Sequence, residues 1–190
     1  GVITLKNALA VIMGTNLGTT LNSWIVATIG FKLEIEAFAY PVAGLAGMAL
    51  FIFKQKTNWE PLFKFLMGFS FLFIGLGLMK ESAESEALQA VFSRFQDSGA
   101  WVFLILGFIA TTITQSSAAT VAITLSFLNQ QLLGFESAMA VVIGSEVGTS
   151  VKLLLGSLDG VAVKQRVSVG NFLYNVVTTV VAFALLQPTA

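Results

Sequence analysis

The chain has 190 residues, 56% of them hydrophobic and only 11% charged, with zero net charge and a mean hydropathy of +0.86. Soluble domains carry about 25% charged residues, so this composition excludes a soluble globule and points to an integral membrane protein. Balanced charge leaves no basic face for nucleic acid, and the absence of Cys and His removes disulfides, imidazole bases and the usual zinc ligands.

Apolar stretches fall at about 8–29, 38–53, 62–79, 100–128, 132–156 and 167–186, several of them near the ~20 residues a helix needs to span hydrocarbon. The predicted fold class is therefore an all-α integral membrane protein. The stretch 38–53 is short and has to stand nearly upright, with Lys54 and Lys56 snorkelling. Polar connections are predicted at 32–36, 54–60, 80–98 and 159–166. The third carries Glu81, Glu84, Glu86, Arg94 and Asp97, with Leu88, Val91, Phe92 and Phe95 at i, i+3, i+4, i+7 spacing. That pattern predicts an amphipathic helix lying on the membrane or against the bundle.

Basic residues in short loops set orientation. Lys54, Lys56 and Lys64 flank one connection and Lys164 and Arg166 lie in another, so both are expected on the cytoplasmic side. The acidic 80–98 connection then falls outside, one span away. From there to Lys164 the chain has to cross an odd number of times, yet two apolar blocks intervene. One of them is expected to be a re-entrant hairpin with Thr111–Ser117 as its polar tip.

A glycine-punctuated polar element occurs twice. Ala8–Thr20 contains Gly14-Thr15-Asn16-Leu17-Gly18-Thr19-Thr20, and Ala138–Ser150 contains Gly144-Ser145-Glu146-Val147-Gly148-Thr149-Ser150. The two segments share 6 of 13 residues at a constant offset of 130. Breaks in a membrane helix are tolerated where freed backbone groups line a cavity, and paired breaks in matching halves mark the binding site of secondary transporters. The sequence thus predicts broken helices at both elements. The offset also sets an outside connection, 30–37, against an inside one, 160–167, as inverted-topology repeats require. The expected division is a remainder of a first transmembrane repeat at 1–79, an extracellular or periplasmic connection at 80–98, and a second, inverted repeat at 99–190.

The densest polar cluster is Thr111–Thr120, with six hydroxyls and one carboxamide in ten residues. One reading is a neutral cage for a small oxyanion at a helix N-terminus, with oxygens nearby for Na⁺. The bland alternative is Ser/Thr helix packing; clustering beside the repeated element favours the cage.

Gln115-Ser116-Ser117, followed 29 residues later by the Gly144–Ser150 element, resembles the type II sodium/phosphate cotransporter family, in a bacterial form. Its members carry a QSS element and a downstream G-x-N-[IL]-G-T-[TS] element in each of two inverted repeats, and Gly14–Thr20 looks like the downstream element of the first. The resemblance covers nearly the whole chain. It implies sodium-coupled import of inorganic phosphate across the cytoplasmic membrane by alternating access. The implied substrate and ion ligands are Thr114, Gln115, Ser116 and Ser117, with Thr15, Asn16, Thr19 and Thr20 from the first element and Ser145, Glu146, Thr149 and Ser150 from the second. Na⁺ falls to Gln115, Ser116, Asn16 and Glu146; no other cofactor is implied. Two positions depart from the family pattern. Ala118 stands where a third Ser is usual, and Glu146 stands where Asn is typical. The first QSS element, offset by 130 from Gln115, is expected in a segment preceding Gly1.

Glu146 and Lys152 are opposite charges within one apolar segment, six residues apart, a poor spacing for a direct pair on an unbroken helix. Function is favoured at Glu146; function and simple snorkelling are even at Lys152. Gly44, Gly47, Gly68, Gly75 and Gly77 read as sites of close helix packing. Phe63, Phe65, Phe69, Phe71 and Phe73 read as lipid-facing or core. Asn171 and Asn175, at i, i+4, read first as helix bridges and second as site lining. With no nucleophile–base pair, an enzyme is not expected. Against the sodium-coupled carrier stand a passive or proton-coupled oxyanion pathway and a non-transporting membrane sensor.

Overall fold

The apolar runs become helices α1 (Leu5–Ile25), α2 (Glu36–Ile52), α3 (Glu60–Ala83), α4 (Ala100–Thr114), α5 (Ser117–Asn129), α6 (Phe135–Leu155) and α7 (Ala162–Leu186). The computed structural model describes residues 4–25, 27, 28, 36–53, 58–83, 85, 86, 90, 94, 95 and 98–186, and no strand occurs among them. Most of the predicted amphipathic helix, with Leu88, Val91 and Phe92, lies outside the described residues, as do Lys54, Lys56 and the 32–35 connection.

Three helices have the length and apolarity to cross a membrane, namely α3, α6 and α7. The chain is a membrane protein. Helix α1 has comparable length but carries Thr15, Asn16, Thr19, Thr20 and Ser23 and is not in that group. At about 1.5 Å rise per residue, the 15 residues of α4 and 13 of α5 each fall short of a ~30 Å hydrocarbon core. They are joined instead by a turn at Gln115 and Ser116, inside the Thr111–Ser117 segment expected to be a tip.

The predicted breaks at Gly14–Thr20 and Gly144–Ser150 are corrected. Helices α1 and α6 run unbroken through both elements. Glycine inside a helix costs about 1 kcal/mol relative to Ala, whereas each backbone group left unsatisfied in hydrocarbon costs several. Keeping the hydrogen-bond ladder therefore wins. In the unbroken α6, Lys152 is exposed and forms no ion pair with Glu146.

In α6 the glycines serve close packing. A Cβ on Gly144 would collide with the Leu104 carbonyl, and one on Gly107 with the Val141 carbonyl. On Gly148 it would lie 2.7 Å from the Phe108 carbonyl oxygen and 2.8 Å from Thr111 Cβ. Helices α4 and α6 thus touch backbone to backbone, as small residues permit in membranes. Four of the five glycines expected to do this do not: Gly44, Gly47, Gly68 and Gly75 have no atom within 4 Å of an added Cβ.

Two apolar clusters lock the bundle. Ala100, Phe103, Leu133, Ala140, Val141 and Phe183 join α4, α6 and α7, with the Trp101 and Phe183 rings 4.4 Å apart. Ala39, Phe73, Leu76 and Ala122 join α2, α3 and α5. Phe65, Phe69 and Phe71 stay exposed while Phe73 is buried, so the aromatic run is lipid-facing on one side and core on the other.

Candidate functional site

The turn between α4 and α5 is built from the polar cluster itself. Gln115 adopts a left-handed conformation, φ 56° and ψ 23°, and its N–H still donates to the Thr111 carbonyl at 2.8 Å. A non-glycine residue there is held at some cost. Ser116 is extended and caps α5, its Oγ accepting from the Ala119 N–H at 3.2 Å. Below the turn, Thr111 Oγ1 donates to Thr120 Oγ1 at 2.7 Å, and both threonines are buried. That bond staples the two arms. Thr120 Oγ1 donates in turn to the Ser116 carbonyl at 3.3 Å. Replacing Thr111 with Val strands the staple at one end; thermal unfolding is expected to show a loss of about 1–2 kcal/mol, against no change for Thr112→Val, whose hydroxyl bonds only within α4.

Donors remain free at this tip. The Gln115 carboxamide is exposed, and Ser117, a largely buried residue, keeps its hydroxyl accessible; neither has a hydrogen-bond partner among the described residues. The N–H groups of Ser117 and Ala118 open α5 and have no intrahelical acceptor. Ser116 accepts through Oγ and keeps its own proton. The tip is thus a cluster of hydrogen-bond donors at the positive end of a helix.

The repeated elements are the converse. Thr15 donates to the Ile12 carbonyl at 2.7 Å, Thr19 to Thr15 at 3.0 Å and Thr20 to Leu17 at 2.6 Å. In α6, Ser145 donates to Val142 at 2.6 Å, Thr149 to Ser145 at 3.2 Å and Ser150 to Val147 at 2.6 Å. Thr114, beside the tip, likewise donates to Ala110 at 2.9 Å. These hydroxyls have spent their protons on their own helices and retain oxygen lone pairs. Ser145 and Ser150 are fully buried, whereas Thr15 and Thr20 are exposed.

Helix α7 joins the two elements. Asn16 Nδ2 donates to Asn171 Oδ1 at 3.3 Å and to Asn175 Oδ1 at 3.0 Å. Asn175 Nδ2 donates to the Glu146 backbone carbonyl at 3.1 Å, and Thr179 Oγ1 to that of Ile143 at 3.2 Å. Along α7 the pairings with α6 descend, Ile143 with Thr179 and Glu146 with Asn175. Those with α1 ascend, from Leu9 against Gly170 to Asn16 against Asn171 and Asn175. The helix-bridge reading of the two asparagines describes their contacts. Gln115, Ser116 and Ser117 make no hydrogen bond to Asn16 or Glu146; the tip reaches the second element through Thr111, which packs on Gly148.

Sequence reasoning placed Thr111 and Thr120 in the cluster without assigning them the staple, and missed Gly107. An apolar cavity of about 210 Å³ lies between the arms, bordered by Phe103, Leu106, Ile123 and Phe127 with Thr120 and Thr124.

The chain matches the family model described as Na⁺/Pi-cotransporter over residues 1–81 and again over 81–188. It is 28% identical over 182 residues to the uncharacterized protein YqeW of Bacillus subtilis, covering 93% of this chain and 56% of that protein. It is 21% identical over 192 residues to the provisionally named inorganic phosphate export protein YjbB of Salmonella typhimurium, covering 99% of this chain and 34% of that protein. The Escherichia coli K12 protein of the same name is 21% identical over 183 residues, 94% of this chain and 32% of the relative. The chain therefore spans between a third and about half of the length of these relatives. No solved structure matches it.

Proposed function

The chain belongs to the Na⁺/Pi-cotransporter family, and from that premise we propose that it carries the central site of a multi-pass transporter of the cytoplasmic membrane that moves inorganic phosphate with Na⁺. One observation carries the reading: the polar groups are sorted by hydrogen-bonding sense. An oxyanion needs donors, and the α4–α5 tip offers Gln115, Ser116, Ser117 and the first N–H groups of α5. A hard cation needs oxygens, and the elements on α1 and α6 offer hydroxyls whose protons are already committed, the Asn16 carbonyl oxygen and the Glu146 carboxylate.

The α4–α5 pair is the re-entrant hairpin of this mechanism, since neither arm is long enough to cross. The halves form inverted repeats that rock past each other to expose the site alternately. Two facts support this: the family model matches the chain twice in succession, and the pairings of α1 and α6 with α7 run in opposite order.

In a coupled carrier the gradients set direction, so an inward Na⁺ gradient drives import. The test is labelled-phosphate flux in proteoliposomes holding the complete protein. Uptake that collapses when choline replaces Na⁺ supports the proposal. Flux indifferent to Na⁺ overturns the coupling, and net efflux against an inward Na⁺ gradient overturns the direction. Glu146→Gln removes the one carboxylate at the repeated elements, and the sodium or pH dependence of uptake is expected to shift. An unchanged profile makes Glu146 structural.

A further inference from the structure

The buried face of α7 carries a stripe of hydrogen-bonding side chains, Ser168, Asn171, Asn175 and Thr179. We propose that Asn171 and Asn175 are positioning residues that form a two-rung track, along which Asn16 steps by one helical turn as the first half of the transporter moves against the second. This rests on the transport reading above.

The argument begins with how weakly α1 is tied down. Among the described residues, Asn16 makes the sole side-chain hydrogen bonds from α1 to another helix, because Thr15, Thr19 and Thr20 bond back into α1 itself. The contact of Leu9 with Gly170 is apolar and slides without a directional penalty. Val11, Leu17, Leu21 and Trp24 are exposed, whereas Ile12, Thr19 and Ser23 are half-buried and α1 also touches α5. The second half is different. Helix α6 is fixed to α7 by Asn175 on the Glu146 carbonyl and Thr179 on the Ile143 carbonyl, and to α4 by glycine-mediated backbone contact. Relative movement of the halves therefore has to slide the apolar contact of Phe73 and Leu76 on Ala122 between α3 and α5, and it meets the Asn16 hydrogen bonds at the α1–α7 boundary.

Movement there meets one obstacle. A carboxamide without partners in hydrocarbon costs several kcal/mol, which opposes any shift that breaks the Asn16 bond without replacing it. The two asparagines remove that obstacle. They are identical acceptors one turn apart, about 5.4 Å along the axis, each only 2% exposed. The Asn16 amide now sits between them, bonded to both at 3.0 and 3.3 Å. A shift in either direction strengthens one bond as it gives up the other. One-turn steps of this kind are an established form of switching between packed elements. Because Asn175 also holds the Glu146 carbonyl, the step is felt at the second repeated element.

Reversible locking tests the track. The 190 residues contain no Cys, and any Cys elsewhere in the complete protein is replaced before a cysteine pair is introduced. The pair is Leu9→Cys with Gly170→Cys, which face each other across the α1–α7 boundary and leave Asn16, Asn171 and Asn175 in place, bridged by a short, reducible bis-methanethiosulfonate linker. The pair is expected to link. The link is expected to lower labelled-phosphate uptake at least about tenfold relative to the same protein unlinked, equivalent to about 1.4 kcal/mol, with recovery on reduction. Linked protein that transports at the unlinked rate overturns the proposal, as does a pair that never links. Linking is scored on gels without phosphate, so a wild-type protein that takes up no phosphate overturns the transport reading alone. A second variant guards against misfolding. Asn171→Ala removes one rung and is expected to lower turnover per folded molecule by about three- to tenfold, the range of one interhelical hydrogen bond, with little change in KM. Asn171→Gln, which keeps the carboxamide, is expected to recover most of it. A purely structural role instead lowers the amount of folded protein and leaves turnover per molecule intact, and that result overturns the track.

Discussion

Gln115→Ala and Ser116→Ala are expected to abolish phosphate uptake by the complete protein while leaving it in the membrane. Gln115 projects an unpartnered carboxamide from the turn, and Ser116 both caps α5 and retains a donor proton. A hydrogen bond to a charged group contributes about 1.5–3 kcal/mol, so losing one lowers affinity roughly 10- to 150-fold. Transport at ordinary phosphate concentrations then fails although the fold survives. Ser116→Ala has a second cost, because the missing cap removes about 1 kcal/mol from α5. Gln115→Ala has no such cost, since the Gln115 side chain bonds nothing. The two variants are thus expected to differ in thermal stability and to agree in lost uptake, which purified protein and proteoliposomes check separately. Normal uptake by Gln115→Ala removes the tip from the site.

Equivalent glycines in the two repeated elements are expected to respond oppositely to one added methyl group. Gly144→Ala drives a Cβ into the Leu104 carbonyl, and both partners are helix backbone, so α4 and α6 have to separate. Overpacking of this kind costs about 1–3 kcal/mol, and here it also strains the arm that holds the tip. Gly14→Ala meets no atom within 4 Å, and Ala is the better helix former by about 1 kcal/mol. Thermal denaturation in detergent should place Gly144→Ala below the parent and Gly14→Ala level with it or above. Two equal losses would mean that Gly14 is packed as tightly as Gly144.

That contrast also marks how far the sequence could be read. The helices follow the apolar runs closely, because only continuous helix satisfies the backbone in hydrocarbon. The turn at Gln115–Ser116 is legible from the crowd of hydroxyls around it. The glycine elements were misread as breaks because composition cannot separate a helix that opens from one approached closely. Deciding that requires the opposing surface, and the Leu104 carbonyl lies forty residues away in sequence. The same limit hid Gly107, which looks like any other glycine until Val141 is placed against it. Asn171 and Asn175 were read as bridges from their spacing alone, but nothing local says that they bridge to Asn16, more than 150 residues earlier.

Sodium-dependent phosphate binding to the purified complete protein tests the site most directly, since it needs no gradient and no turnover. Equilibrium binding of labelled phosphate is expected in Na⁺, weakened in choline, and lost in Gln115→Ala in either salt. Equal binding by the parent protein in both salts would contradict a shared anion–cation site. Undiminished binding by Gln115→Ala would contradict its location at the α4–α5 turn.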